Sequence, residues 1–279
     1  MNICVIGLGL IGGSFAKAVK AYTPHSVQGV DRNPDVCRAA LSCGAADAVF
    51  DPADCAGALQ NADITLLCLY PEDAITFTEK HADSFKPDSV VADACGVKRP
   101  LSGRMNALAA IHGFYFVGGH PMAGLEHGGF ENSTAALFKN ASFIITPEDA
   151  PQPAVNAVTR LMLTLGFKTI KTSNPKEHDE MIAYTSQLPH VLACAYVENP
   201  LSANHKGFSA GSFADVSRVA TINERLWAEL MCENRDCLSE QLADLIGGLS
   251  AYKELIEKGD RDGLRNRLKK AREIKEKTL

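Results

Sequence analysis

Short apolar runs rich in β-branched residues alternate with amphipathic stretches through the first three-fifths of the chain. The runs predict strands at Asn2–Gly7, Ser26–Asp31, Ile64–Leu69, Ser89–Asp93, Phe114–Gly119, Ser142–Thr146 and Lys168–Lys171. Helical spacing of apolar residues predicts helices between them, at Gly13–Ala21, Pro34–Ser42, Asp73–Ser84, Pro100–Ala110 and Pro153–Leu165. Several of these begin at or near proline, where the missing N–H costs nothing. Strand and helix in alternation require a mostly parallel α/β sheet. After about Thr172 the strand signal stops. Pro175–Glu198, Asp215–Cys232 and Leu238–Lys277 then read as helices, and Asn199–Gly211, with Pro200, Asn204, Gly207 and Gly211, reads as a loop. The change divides the chain into an α/β domain, 1–172, and an all-helical domain, 173–279. In the last helix Leu264, Leu268, Ala271 and Ile274 form one stripe, as in a packing or dimer-seam helix whose basic face is solvated.

Gly7-Leu8-Gly9-Leu10-Ile11-Gly12 sits between the first strand and the first helix. Gly7 permits a tight turn, Gly9 lets the backbone approach a pyrophosphate, and Gly12 allows helix and strand to touch, so phosphates meet the positive end of a helix. Asp31, nineteen residues after Gly12, ends the second strand, where a carboxylate accepts hydrogen bonds from an adenosine ribose. A carboxylate there repels the 2′-phosphate of NADP and favours NAD. Arg32 beside it could cover the adenine or accommodate a phosphate, which keeps NADP as the alternative.

Net charge bounds the partners. At −5, with a pI near 5.9, the chain has no overall attraction for nucleic acid or anionic membranes, and no apolar run is long enough to span a bilayer. Nine cysteines lack the spacing of a structural metal site, so no metal is expected; several lie in apolar runs, as reduced core thiols do. With no basic, apolar leader at the start, a cytoplasmic setting is expected.

The glycine signature serves many reactions, so the chemistry must be read elsewhere. Asp93-Ala94-Cys95-Gly96-Val97-Lys98 and Gly118-Gly119-His120-Pro121-Met122-Ala123-Gly124 each end a predicted strand and open onto the carboxyl edge of the sheet, where ligands collect. Cys95 is a candidate cofactor contact there. His120, set between glycines and a proline, can take the proton of a substrate hydroxyl as its hydride leaves; the competing role is a satisfied structural histidine. Glu126 either gates the cleft or is a surface carboxylate. Ser186 and His190 share a helical face, while His178 and His190 stand about 120° apart on an ideal helix. Pro189 can kink that helix toward a cleft. Arg218, after the loop before the next helix, offers a planar fork for a carboxylate.

Taken together, GLGLIGGS, DACGVK, GGHPMAG, HDExxAxTSQLPH and FADVSRVA resemble the prephenate/arogenate dehydrogenase family of tyrosine biosynthesis, in order and across nearly the whole chain. The resemblance implies a Rossmann-like N-terminal domain, an all-helical C-terminal domain forming a homodimer interface, and NAD-dependent oxidative decarboxylation of a cyclohexadienol. Prephenate would yield 4-hydroxyphenylpyruvate; arogenate would yield tyrosine. It further implies that His120 is catalytic, that Arg218 binds a substrate carboxylate, and that His190, Ser186, Gln187, His178 and Glu126 line or gate the substrate site. Two positions depart from the family pattern. Gly96 stands where many members have serine, and Gln187 where many have histidine. A β-hydroxyacid or 6-phosphogluconate-type dehydrogenase would need a helical catalytic lysine motif that the chain does not convincingly offer. A dinucleotide sensor without turnover would leave His120 and Arg218 apart on the surface.

Overall fold

The computed structural model describes residues 1–278, which divide into two compact units, 1–234 and 235 onward. The first is built on an eight-stranded sheet in the order β3-β2-β1-β4-β5-β6-β7-β8. Its strands are β1 (Asn2–Ile6), β2 (Ser26–Val30), β3 (Ala48–Phe50), β4 (Ile64–Leu67), β5 (Val90–Asp93), β6 (Tyr115–Pro121), β7 (Ser142–Thr146) and β8 (Thr169–Thr172). All neighbours pair in parallel except β6 and β7, which run antiparallel with His120 opposite Ile144.

The central strands β4 and β5 are buried at every position, as continuous apolar runs in a doubly covered parallel sheet must be. Alternate residues feed two cores. Ile3, Val5, Ile64, Leu66, Val90 and Ala92 pack with Phe15 and Val19 of α1 (Leu10–Tyr22) and Val158 and Leu161 of α6 (Gln152–Thr164). Cys4, Ile6, Leu67 and Val91 face the other way. They pack against Leu59 of α3 (Ala56–Asn61), Ile75 of α4 (Pro71–His81) and Leu101 and Met105 of α5 (Arg99–His112). The remaining helix of this half, α2 (Pro34–Ser42), is capped by Asn33, whose side chain accepts from the Asp35 amide at 2.9 Å.

Two elements, β3 and α3, are absent from the sequence expectation. Three and six residues long, they carry too little periodicity to register. The predicted helix Pro175–Glu198 is interrupted. It comprises α7 (Pro175–Ile182), a π-helical turn (Ala183–Gln187) and α8 (Leu188–Val197). Pro189 has no N–H for the Thr185 carbonyl, and the backbone widens there rather than simply kinking. Asp215–Cys232 likewise divides into α9 (Gly211–Ser217), a 3₁₀ turn and α10 (Glu224–Glu233).

The second unit is a helical hairpin. The single helix expected over Leu238–Lys277 is broken into α11 (Arg235–Glu257) and α12 (Arg261–Lys277) at Gly259, which adopts φ +64, and Asp260 caps α12 by accepting from the Gly263 amide at 2.9 Å. Arg267 lies over the Tyr252 ring at 4.7 Å and ties the two helices together.

The strands on the β6 side are anchored to α1 by a run of rings. Phe138, fully buried, stacks on Phe15 at 4.3 Å and on Phe167 at 4.8 Å, and Phe167 meets the edge of Phe143 at 5.1 Å. Phe138→Ala is expected to cost about 3–5 kcal/mol of stability, read as a lower urea midpoint at unchanged m-value.

Candidate active site

The glycine loop does what its sequence demands. Gly7 lies at φ +84 and donates to the Val30 carbonyl at 2.8 Å, and a Cβ on Gly12 would lie 1.8 Å from the Gly7 oxygen, so only glycine fits there. A Cβ on Gly9 would meet nothing within 4 Å, which leaves open space over the start of α1. That helix has no acidic residue in its first turn and no side-chain cap. The amides of Leu10, Ile11 and Gly12 are therefore first-turn donors available to an anion. Leu8 turns inward, fully buried, while its amide donates to Asp31 Oδ2 at 2.8 Å; Asp31 Oδ1 accepts from Asn33 N at 2.8 Å. The carboxylate is thus held at the end of β2, next to a cavity of about 330 Å³ lined in part by Asp31, Arg32 and Arg38. These groups fit a dinucleotide: phosphates at α1, ribose at Asp31.

Across the sheet edge, β5 and β6 carry the second cluster. Asp93, the last residue of β5, is buried, and its Oδ1 accepts from the Gly119 amide at 3.0 Å. Its Oδ2 accepts from the Cys95 amide at 2.9 Å and forms an ion pair with Lys98, which is also fully buried. Asp179 in α7 is 0% exposed and receives the amides of Lys98 and Arg99 at 2.8 and 2.9 Å, the Arg99 Nε at 3.2 Å, and His178 Nδ1 at 2.7 Å. His178 Nε2 lies 2.9 Å from His120 Nδ1.

This chain fixes the tautomers. A carboxylate only accepts, so the proton between Asp179 and His178 is on His178 Nδ1. In the neutral ring Nε2 is then the acceptor, so His120 donates from Nδ1 and keeps its lone pair on Nε2. Burial holds His120 well below the ordinary histidine range, and His178 and Lys98 push it further down. His178 is also lowered, by burial first, against the raising effect of its hydrogen bond to Asp179. For Asp179, burial raises the carboxyl, but the hydrogen bonds from His178 and the two amides outweigh it and hold it below its usual value. Two neutral imidazoles in series on a carboxylate make His120 Nε2 a directed base.

The other expected residues fall into two groups. Arg218 Nη1 donates to Glu126 Oε1 at 2.8 Å, which ties the 3₁₀ turn after α9 to the loop that follows His120. Both side chains are partly open to solvent. His190 donates from Nδ1 to the Ser186 carbonyl at 2.7 Å and stacks on Trp227 at 3.8 Å, with Ser186 half-buried beside it. Three residues are placed differently from expectation. His178 is buried against His120 rather than lining a substrate cavity. Gln187 is 1% exposed and uses both ends of its amide internally, donating to the Leu230 carbonyl at 3.0 Å and accepting from Asn234 at 2.9 Å. Cys95 is buried with its thiol toward the Leu69 carbonyl at 3.6 Å, which leaves only its backbone for a cofactor. Gly96 is covered by Leu230, whose methyls would lie 3.1 and 3.2 Å from a Cβ there. Asp93, Lys98, Asp179, Asn234 and Trp227 escaped the sequence reading; the Asp in HDE and the Lys closing DACGVK were the available signals.

A dinucleotide-binding α/β unit with a directed histidine at the carboxyl edge of its sheet defines a nicotinamide-dependent dehydrogenase architecture. Comparison narrows it. Residues 15–171 match the family profile "Prephenate dehydrogenase, nucleotide-binding domain" and residues 174–270 match "Prephenate dehydrogenase, dimerization domain". Cyclohexadienyl dehydrogenase of Zymomonas mobilis is 31% identical over 98% of this chain and 94% of its own length. Prephenate dehydrogenase from A. aeolicus, solved with hydroxyphenyl propionate and NAD+, superposes with a TM-score of 0.89 at 26% identity, covering 100% of this chain and 98% of that one. Synechocystis arogenate dehydrogenase superposes at 0.84, also 26% identical, with 100% of each chain covered. The chain belongs to the prephenate dehydrogenase family.

Glu233 at the end of α10 lies close to this network. Burial and the nearby Glu229, Glu72 and Asp179 raise its carboxyl to about 7, and its Oε2 is buried without a hydrogen-bond partner. Because the folded state holds this proton more tightly than the unfolded chain, stability falls as pH rises from about 4.3 toward 7 and is flat above. Glu233→Gln is expected to leave urea stability unchanged at pH 5 and to raise it at pH 8 by about 1 kcal/mol, after allowance for the half-exposed side chain.

Proposed function

We propose that this protein is an NAD-dependent dehydrogenase that converts prephenate to 4-hydroxyphenylpyruvate by oxidative decarboxylation in tyrosine biosynthesis. Arogenate, which would give tyrosine directly, is the second substrate reading, favoured by the likeness to the arogenate and cyclohexadienyl enzymes. The observation that carries the proposal is the Asp179–His178–His120 chain, which directs an imidazole lone pair at the sheet edge shared with the glycine loop.

The dinucleotide would be held by the loop Gly7–Gly12, the first turn of α1 and Asp31. When bound, its nicotinamide supplies the hydride acceptor. His120 would take the hydroxyl proton on Nε2 as the carbinol carbon gives up its hydride; loss of carbon dioxide then leaves its electron pair to aromatise the ring as a phenolate, to which the His120 imidazolium returns the proton, giving the phenol. Proton acceptance turns His120 into an imidazolium that His178 stabilises by accepting from Nδ1, with Asp179 behind it. Arg218 binds a substrate carboxylate, and Glu126 holds that guanidinium until the anion arrives. His190 and Ser186 border the substrate side chain, with Trp227 fixing the His190 ring.

Residues 173–279 form the dimerisation domain in this reading. Ile246, Leu249 and Ile256 on α11 and Leu268 and Ile274 on α12 are each half exposed or more, an apolar surface that a second copy would cover. The nine cysteines, all free thiols, fit a reducing cytoplasm. No described helix is long and apolar enough to cross a membrane.

Mixed with NAD, the protein is expected to generate NADH absorbance with prephenate or arogenate and none with a β-hydroxyacid panel; silence with both cyclohexadienols would overturn the reading. His120→Asn should lower kcat by about 10²–10⁴-fold. Cofactor choice has its own test. With Asp31 at the ribose, kcat/KM for NAD should exceed that for NADP, and a clear NADP preference would refute the role given to that carboxylate.

A further inference from the structure

Lys98 is 1% exposed, and the reaction just described gives it no step. Its ammonium pairs with Asp93 and its backbone amide donates to Asp179 Oδ1 at 2.8 Å. Those two carboxylates hold His120 from opposite sides. Asp93 accepts from the amide of Gly119, the residue before His120 on β6, and Asp179 orients the His178 ring on which His120 rests. A lysine taken out of water to close a loop is costly, and an apolar side chain of the same length would fill the space at less expense. Its retention calls for a role beyond packing.

We propose that Lys98 is a positioning residue for His120, tying together the two carboxylates that hold that imidazole and setting a positive charge against it. The inference rests on the reading of His120 as the base. Three charged groups face the His120–His178 pair: Lys98 from the start of α5, Asp93 from the end of β5 and Asp179 from α7, the last also paired with Arg99. Asp179 and Asp93 favour a proton on the pair, whereas Lys98 disfavours one on either ring. Without the lysine, Asp93 would face the two imidazoles with its paired cation gone, while Asp179 would keep Arg99. The pair would capture a proton before substrate arrives, and His120 would lose the lone pair it needs.

The test uses Lys98→Met and the double variant Asp93→Asn/Lys98→Met. The His120 ring resonance, assigned by its loss in His120→Asn, is titrated by NMR in the protein alone, and kcat and KM are measured against pH with prephenate and NAD. In Lys98→Met the ring midpoint and the acidic limb of kcat should both move to higher pH. The double variant should move less, because the opposing carboxylate is gone as well. At pH 7 kcat should fall by up to about 100-fold with KM little changed. A fall in kcat with ring midpoint and limb unmoved would make Lys98 merely structural and overturn the proposal, as would a double variant displaced as far as the single. Should Lys98→Met not fold, the double variant, which removes both charges of the buried pair, decides the matter by the presence or absence of its own smaller upward shift. If wild-type protein turns over neither cyclohexadienol, the functional reading falls, and the ring titration still decides whether Lys98 controls His120.

Discussion

The buried carboxylate of Asp179 organises the site. Removing such a charge from water costs several kcal/mol unless hydrogen bonds replace the lost hydration. Four donors do so: the backbone amides of Lys98 and Arg99, the Arg99 side chain and His178. Because two of these are the first residues of the α5 segment, meeting the demand of one carboxylate fixes where α7 sits on the sheet domain. Arg99 also donates to Asn234 at 2.8 Å, and Asn234 donates to the Asp179 carbonyl and to Gln187. The end of α10 and the π turn are thereby held to the same centre. None of this polar cluster touches the glycine loop, yet it determines the direction in which His120 presents its free nitrogen.

Legibility in the sequence followed how local each constraint is. Gly12 is dictated by the backbone five residues before it and Gly7 by its own positive φ, and their roles are plain from spacing alone. His120 was recognisable for a related reason, since a histidine between glycines at a strand end has few packing duties. The partners that fix its tautomer were hidden. Asp93 and Lys98, five residues apart, lie in a motif the sequence places at the sheet edge, but their pairing shows only once the fold buries both, and Asp179 is one acid among several on a polar helix face. His178 was visible as a candidate, but its partner lies 58 residues away and only the packing of α7 against β6 supplies it. The antiparallel step from β6 to β7 was equally hidden, because the direction of a strand leaves no trace in its own periodicity.

The two departures from the family pattern are explained by one neighbour. Leu230 in α10 lies over Gly96 and also lends its carbonyl to Gln187. A serine side chain at position 96 would force the Leu230 methyls to shift, so glycine there and leucine at 230 are matched in volume. A histidine at position 187 could not reproduce both amide hydrogen bonds, donor to Leu230 and acceptor from Asn234, in the same geometry. The departures therefore form a linked set, in which α10 closes down on the β5–α5 loop through Leu230.

With Gly96 offering no hydroxyl and Gln187 turned inward, His120 is the polar side chain at that edge with a free acceptor fixed by its surroundings. A base whose tautomer is fixed beforehand need not reorganise when substrate binds, and a proton it accepts is shared along His178 toward Asp179 without leaving the site. The same arrangement carries a liability, since a carboxylate behind two imidazoles invites protonation. Burial and the Lys98 cation oppose that, and the donors on Asp179 temper it. The burial of His178, Lys98, Asp93 and Asp179 thus bears on the proposed chemistry: water that solvated the pair would weaken the cation's hold and strengthen the imidazolium at once.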